Sequence, residues 1–132
     1  MSRGAPRRTA IWAITPTGAG LARALAAQVD HSTLFLPEKL ATANDGSIRF
    51  VRLKPILQER FNHFSDHIFI MATGIVVRTI AAHLGHKTTD PAVVVCDEGG
   101  RFAISLVSGH IGGANALALQ VAGLYSVPPE AN

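Results

Sequence analysis

Short apolar runs recur along the chain, each stopped by glycine, proline or polar residues and followed by apolar positions at helical spacing. Thr9 to Ile14 is the first; Thr15-Pro16-Thr17-Gly18-Ala19-Gly20 punctuates it, and Leu21, Leu25 and Val29 then share one helical face. The pattern predicts strand, loop and helix, with Ala22, Ala24, Ala26 and Ala27 thin enough for close packing on a sheet and Asp30 and His31 at the helix end. Ser32 to Leu36 reads as a second strand, Glu38 to Ser47 as a polar loop, and Ile48 to Val51 as a short edge strand. Pro55 suits a first helical turn, where its missing N–H costs little, and Ile56, Leu57, Phe61 and Phe64 supply that helix with an apolar face. His67 to Met71 reads as a buried strand, Ala72-Thr73-Gly74 as a turn, and Ile75 to Leu84 as a helix with Val76, Ile80 and Leu84 on one side.

Pro91 introduces another strand, Ala92 to Cys96, and Asp97-Glu98-Gly99-Gly100 is a hairpin turn into a strand over Arg101 to Val107. Beyond the glycine-rich stretch Ser108 to Gly113, Leu117, Val121 and Leu124 mark a final helix that stops near Gly123. Alternating strands and helices predict an α/β fold: three-layer α/β/α with a mostly parallel sheet and one antiparallel hairpin near the C-terminus. The expected organisation is a disordered basic tail over 1–8, a single domain over 9–126, and a tail or the start of a linker over 127–132. Such sheets bind ligands beyond the carboxyl ends of their strands, so the loops Thr15–Gly20, Ala72–Gly74 and Ser108–Asn115 are expected to gather on one edge.

With 132 residues, 48% of them hydrophobic, the chain builds one substantial core and has no room for two full domains. No apolar run approaches the roughly 20 residues that cross a bilayer, and nothing resembles a signal peptide; no membrane partner and a cytoplasmic location are expected. Cys96 is the one cysteine and, set among Val93, Val94 and Val95, reads as a small buried hydrophobe. The formal net charge of +3 comes from the N-terminus: without Arg3, Arg7 and Arg8 the 12 basic residues become 9, against 9 acidic ones. A neutral body with 6% aromatic residues offers neither basic face nor stacking platform, so no nucleic-acid partner is expected.

Small residues at a helix start leave backbone N–H groups free for a carboxylate or phosphate, which makes Thr15, Thr17 and Gly18 candidates for holding an anion. Thr73 and Gly74 are candidates on the same ground, and Arg78, one turn on, can reach back toward them. No Gly-Lys-Ser/Thr follows the first loop and Gly18-Ala19-Gly20 lacks the full dinucleotide fingerprint, so a nucleotide has little support. Asp90, Asp97 and Glu98 read as solvated turn carboxylates. His31, His63, His67, His83 and His86 have no metal-ligand spacing and read as surface or packing residues. In the third loop Ser108, Gly109, His110, Gly112, Gly113 and Asn115 combine polar groups with glycines; an imidazole exchanges its proton near neutrality, which makes His110 the candidate general base. Ser108 has no acidic partner to complete a triad and no Gly-x-Ser-x-Gly surrounds it.

Several linked motifs go further: Ala72-Thr73-Gly74-Ile75-Val76-Val77-Arg78, Lys87, Asp90-Pro91-Ala92-Val93-Val94-Val95, Asp97-Glu98, and Ile104-Ser105-Leu106-Val107-Ser108-Gly109-His110-Ile111-Gly112-Gly113-Ala114-Asn115. In order and spacing they resemble the N-terminal domain of the CbiG family of cobalamin-biosynthesis proteins, and the Thr15-Pro16-Thr17-Gly18 start is similar too. The resemblance implies an anaerobic-pathway cobalt-precorrin-5A hydrolase that opens a δ-lactone on a carboxylate-rich corrin precursor and releases acetaldehyde. It also implies a cobalt-corrinoid as partner, cobalt carried by the substrate, and no cofactor or metal held by the protein. His110 would then activate water, N–H groups around Gly112 and Gly113 would hold an oxyanion or carboxylate, and Ser108, Asn115, Arg78 and Thr73 would orient the substrate. Members of the family usually continue into a C-terminal domain. This chain is accordingly expected to be an excised domain, a subunit with a separate partner, or half of a site completed in a homodimer. The competing expectations are a non-catalytic corrinoid-binding or channelling module and a small-anion or nucleotide-binding module.

Overall fold

The computed structural model describes residues 7–85, 90–107, 114–125 and 129–131. The elements are β1 (Thr9–Ala13), α1 (Pro16–Ala26), β2 (Ser32–Pro37), β3 (Ile48–Phe50), α2 (Leu53–Arg60), β4 (Asp66–Ile70), α3 (Thr73–Ile80), β5 (Ala92–Cys96), β6 (Ala103–Val107), α4 (Ala114–Tyr125) and β7 (Pro129–Ala131). One sheet takes the order β3-β2-β1-β4-β5-β6-β7. The strands from β3 to β5 run parallel, β6 is antiparallel to β5, and β7 is parallel to β6.

The central strands are apolar without alternation because both faces are covered. All five residues of each of β1, β4 and β5 are buried. Successive side chains of a strand point to opposite faces. Ile11, Ala13, Ile68, Ile70, Val94 and Cys96 accordingly pack with Ala19, Ala22 and Leu25 of α1 and Leu117, Ala118 and Val121 of α4. Trp12, Phe69, Val93 and Val95 face the other way, onto Leu57 of α2, Phe61, Phe64, and Val76 and Ile80 of α3. The three-layer α/β/α arrangement follows. Among the described residues no helix is long and apolar enough to cross a membrane.

Two terminal expectations change. Arg7 and Arg8 are fixed: the Ser65 and Asp66 N–H groups donate to the Arg8 carbonyl at 2.9 and 3.2 Å, and the Arg8 guanidinium lies 5.0 Å from the Phe64 ring centroid. Pro128-Pro129 reads as a stop, yet residues 129–131 form β7 on the outer edge of β6, where backbone groups need a partner and a proline at the strand's first position costs little.

One polar pair sits inside the second aromatic layer. Trp12 Nε1 donates to His67 Nδ1 at 3.0 Å, and His67 Nε2 donates to the Phe61 carbonyl at 2.8 Å. A carbonyl only accepts and an indole N–H only donates, so this arrangement requires the neutral ring with its hydrogen on Nε2. Burial pushes the imidazole down to about 4, against opposing pulls from the Phe61 carbonyl and Asp66. Protonation would leave two N–H groups facing each other without water.

His67 is easier to protonate in the unfolded chain, near 6.5, than in the folded one, near 4. The stability conferred by the neutral ring is complete above the unfolded value and is lost as pH falls from 6.5 toward 4, roughly 3 kcal/mol in all. Urea denaturation across that window should show falling stability for the wild type and a shallower slope for His67→Gln; identical slopes would remove His67 as the cause.

Candidate functional site

The chain reverses its direction of winding between β1 and β4, the position at which sheets of this kind bind ligands beyond the carboxyl ends of their strands. Thr15–Gly20 is not a loop there. Thr15 is the extended N-cap of α1, its Oγ accepting the Gly18 N–H at 3.1 Å, and Pro16 is the first helical residue. A capping threonine followed by proline is a helix-start signal that outweighs two glycines, so Thr17, Gly18 and Gly20 all lie inside the helix. A Cβ on Gly18 would stand 3.2 Å from the Ile70 carbonyl oxygen and 3.0 Å from Thr15 Oγ. The glycine lets the first turn of α1 rest on the end of β4.

The second candidate loop is likewise shorter than expected, because α3 starts at Thr73 with Ala72 as its N-cap and takes in Gly74. Arg78 does reach back: its Nη1 is 3.5 Å from where a Gly74 Cβ would be. Beside this helix start lies a cleft of about 480 Å³, lined by Met71, Thr73, Glu98, Arg101 and Phe102 with Asp97. Asp97 is a structural group. Its Oδ1 accepts the Arg101 and Phe102 N–H groups at 2.7 and 2.9 Å, and its Oδ2 accepts Arg101 Nε at 3.1 Å. Desolvation works to raise this carboxyl, and the Phe102 and Arg101 donors together hold it below its ordinary value. Gly100 completes the turn at φ +70°.

That turn divides the candidate residues. Because β6 runs antiparallel, Val107 pairs with Val93 near the amino ends of the parallel strands. The first turns of α4 border the same edge: Ala116, Leu117 and Gln120 share a cleft with Thr9 and Asp66, the first residues of β1 and β4. Ser108, Gly109, His110, Gly112 and Gly113 lie outside the described residues, as do His86 and Lys87, but both flanks of the His110 segment belong to the amino edge. Asn115 is the second residue of α4, with its side chain outside the description. Of the three loops expected on one edge, the structure describes the first two there, and the third lies outside the described residues. Thr15, Thr17, Gly18, Thr73, Gly74 and Arg78 come together at the carboxyl edge, while Val107, the last described residue before the Ser108 segment, is at the amino edge.

The amino-edge cleft, about 430 Å³, contains residues that sequence reasoning passed over. Asp66 is buried; Thr9 Oγ1 donates to its Oδ2 at 3.3 Å, Arg7 Nε donates to the same oxygen at 3.1 Å, and Arg7 Nη2 donates to Oδ1. His31 lies at the rim with φ +57°, the one left-handed non-glycine among the described residues. A charged residue at the head of a fully apolar strand was the available signal for Asp66. Cys96 offers no nucleophile: burial, and then Asp97, push its thiol up to about 12. Among the described residues no group of three His, Cys, Asp or Glu side chains could hold a metal ion.

Residues 55–129 match the family described as Cobalamin synthesis G N-terminal. The chain is 43% identical over 125 residues to a cobalt-precorrin-5A hydrolase of Salmonella typhimurium, covering 94% of this chain and 35% of that protein. It is 37% identical over 129 residues to a cobalt-precorrin-5A hydrolase of Priestia megaterium, covering 91% and 33%. The fold is shared with a cobalamin biosynthesis protein G homolog of Sulfolobus solfataricus, at a TM-score of 0.70 and 19% identity, over 94% of this chain and 36% of that one. The chain thus spans about a third of the length of these relatives.

The packing of α1 distinguishes its two glycines. Gly18→Ala should cost about 1–2 kcal/mol despite better helix propensity, because the Ile70 carbonyl belongs to the sheet and cannot yield. Gly20→Ala meets nothing within 4 Å and should stabilise by roughly 0.5–1 kcal/mol. Thermal unfolding of the two variants reads the difference; equal shifts would mean that α1 does not rest on β4 at Gly18.

Proposed function

The chain belongs to the cobalamin synthesis G N-terminal family, and from that premise we propose that it is the N-terminal part of a cobalt-precorrin-5A hydrolase. The observation that carries this reading is the 43% identity to a protein of that name over 94% of the chain. In the proposed reaction water attacks the acyl carbon of the δ-lactone and the acyl C–O bond breaks, leaving a carboxylate and a freed hydroxyl; that hydroxyl then loses its proton and becomes the aldehyde carbonyl as the C–C bond to the macrocycle breaks, the bonding pair passes to the macrocycle, and the two-carbon fragment departs as acetaldehyde. His110 takes the proton of the attacking water, and N–H groups around Gly112 and Gly113 stabilise the developing oxyanion. Ser108 and Asn115 orient the substrate beside them.

Thr15, Thr17, Gly18, Thr73, Gly74 and Arg78 stand together at the carboxyl edge of the sheet. Their proposed part is to bind carboxylate arms of the cobalt-corrinoid away from the reacting centre. Cobalt arrives within the substrate and the protein holds no cofactor of its own. The remaining two-thirds of the relatives' length corresponds to a CbiG C-terminal-type domain or partner, with a homodimer as the other way to complete the site. A cytoplasmic location goes with a soluble biosynthetic substrate. The same one-third coverage favours one alternative: a corrinoid-binding or channelling module whose chemistry resides in the remainder of the protein.

The test incubates the purified chain with the cobalt-corrin lactone, with and without a separately expressed C-terminal part, and follows acetaldehyde and substrate mass. Acetaldehyde should form with the two parts together. His110→Ala should lower kcat by about 100-fold or more, as loss of a general base does. Arg78→Ala should raise KM severalfold and leave kcat nearly unchanged. Binding without turnover in every combination would sink the hydrolase reading and leave the binding module.

A further inference from the structure

β3 is the last strand at its end of the sheet, with no strand beyond it among the described residues. The Phe50 carbonyl accepts the Glu38 N–H at 2.8 Å, so Phe50 turns its backbone groups to β2. Successive residues of a strand alternate, and Arg49 therefore directs its N–H and carbonyl outward. Edge strands of this kind are commonly shielded by a charged side chain. Here the shield is turned aside: Arg49 Nη2 donates to the Thr42 carbonyl at 2.7 Å, within the crossover from β2 to β3. Val51, the first residue after the strand, is 78% exposed, more than any other large hydrophobic residue described.

Two hollows meet at Phe50 and Val51. One, about 340 Å³, reaches Pro55 and Ile56 of α2, and the other, about 240 Å³, reaches Pro37 at the end of β2. Arg52 and Glu59 border the first, Glu38 and Lys39 the second. An apolar centre within a polar rim is the make-up of a surface that binds polypeptide. A strand added to an open edge gains main-chain hydrogen bonds and sends alternate side chains into pockets on either side. The outward groups of Arg49 and the two hollows provide both.

We propose that the open edge of β3 is the docking site for an extended, apolar segment from the part of the polypeptide beyond the third of its relatives that this chain spans. The relatives carry about two thirds of their length outside that part. A patch formed by β3, the end of β2 and the start of α2 is far smaller than the roughly 20–30 residues a side of a stable dimer, so a second copy or a free partner would hold weakly. A segment of the same polypeptide needs no such area, because tethering keeps it at an effective concentration in the millimolar range. It would pair with the Arg49 backbone and cover Val51. The proposal rests on reading this chain as one part of a larger hydrolase, and goes beyond it by naming the surface at which the parts meet.

The test compares hydrogen exchange at the Arg49 amide in this chain alone and in the complete polypeptide. Exchange should slow about tenfold or more in the complete polypeptide, the factor for a docked state populated above roughly 90%. Val51→Asp should return it to the rate of the isolated chain, because a carboxylate cannot enter the apolar hollow without a partner. In the isolated chain the same substitution should leave the melting temperature unchanged, since Val51 is exposed there. Leu119→Gln, at the 60% exposed leucine of α4, should leave the protection of Arg49 intact. Equal exchange in the two forms, protection that survives Val51→Asp, or protection of the isolated chain that grows with its own concentration, the mark of a second copy, would overturn the proposal. Acetaldehyde from the complete polypeptide without protection at Arg49 would leave the hydrolase reading standing and remove the docking site; protection without acetaldehyde would do the reverse.

Discussion

The carboxylate of Asp97 accepts two backbone N–H groups, those of Arg101 and Phe102, and so closes the turn at which the chain stops adding parallel strands. Everything after it is placed by that reversal. Without it, β6 would be a sixth parallel strand and would end at the carboxyl edge, beside Thr15 and Thr73. With it, β6 returns toward the amino edge, α4 covers the face that α1 covers, and β7 is laid down alongside β6. The turn also explains its own composition: Gly100 supplies the positive φ, and a Cβ on Gly99 would stand 3.2 Å from Asp97 Oδ2. An ionised carboxylate is needed, and the same donors that shape the turn keep it ionised.

A second constraint comes from covering both sheet faces in a chain this short. Alternate residues of β1 and β4 face different helices, so one layer can be thin and the other aromatic. Alanines of α1 and α4 fill the first. The second stacks Trp12 on Phe35 at 4.0 Å between centroids and Phe61 on His67 at 4.7 Å. Large rings carry polar atoms into the interior, and the Trp12–His67–Phe61 chain of hydrogen bonds satisfies them. His67 therefore belongs to the core, as its place within a buried strand suggests, and its proton chemistry is suppressed because the fold needs the neutral ring.

Much of the fold was legible because the strongest signals are redundant. Val93-Val94-Val95 can only be a strand covered on both sides, and Asp97-Glu98-Gly99-Gly100 can hardly be anything but a turn. Helix starts were less legible: Thr15-Pro16 and Ala72-Thr73 stand next to glycines, and glycine was read as punctuation when its function at Gly18 is close approach. The last strand was hidden by Pro128-Pro129, since pairing with an open edge is a tertiary effect that local propensity does not carry. The hairpin read at Asp97–Gly100 already implies that Val107 ends at the amino edge, a consequence of strand direction that motif spacing alone does not display. Asp66 carried little local signal, its place in a cleft arising only when α4 closes over the turn between α1 and β2.

These corrections change where evidence for a ligand lies. Before the fold is known, small residues at Thr15–Gly20 argue for an anion held by free N–H groups. In the structure Thr15 Oγ already accepts the Gly18 N–H, and the glycine is required by the Ile70 carbonyl, so both observations are consumed by packing. At the carboxyl edge Arg78, reaching back over Gly74, is the charged group that packing leaves for an anionic ligand. At the amino edge α4, Thr9 and Asp66, the last held by Arg7 and Thr9, line a second cleft.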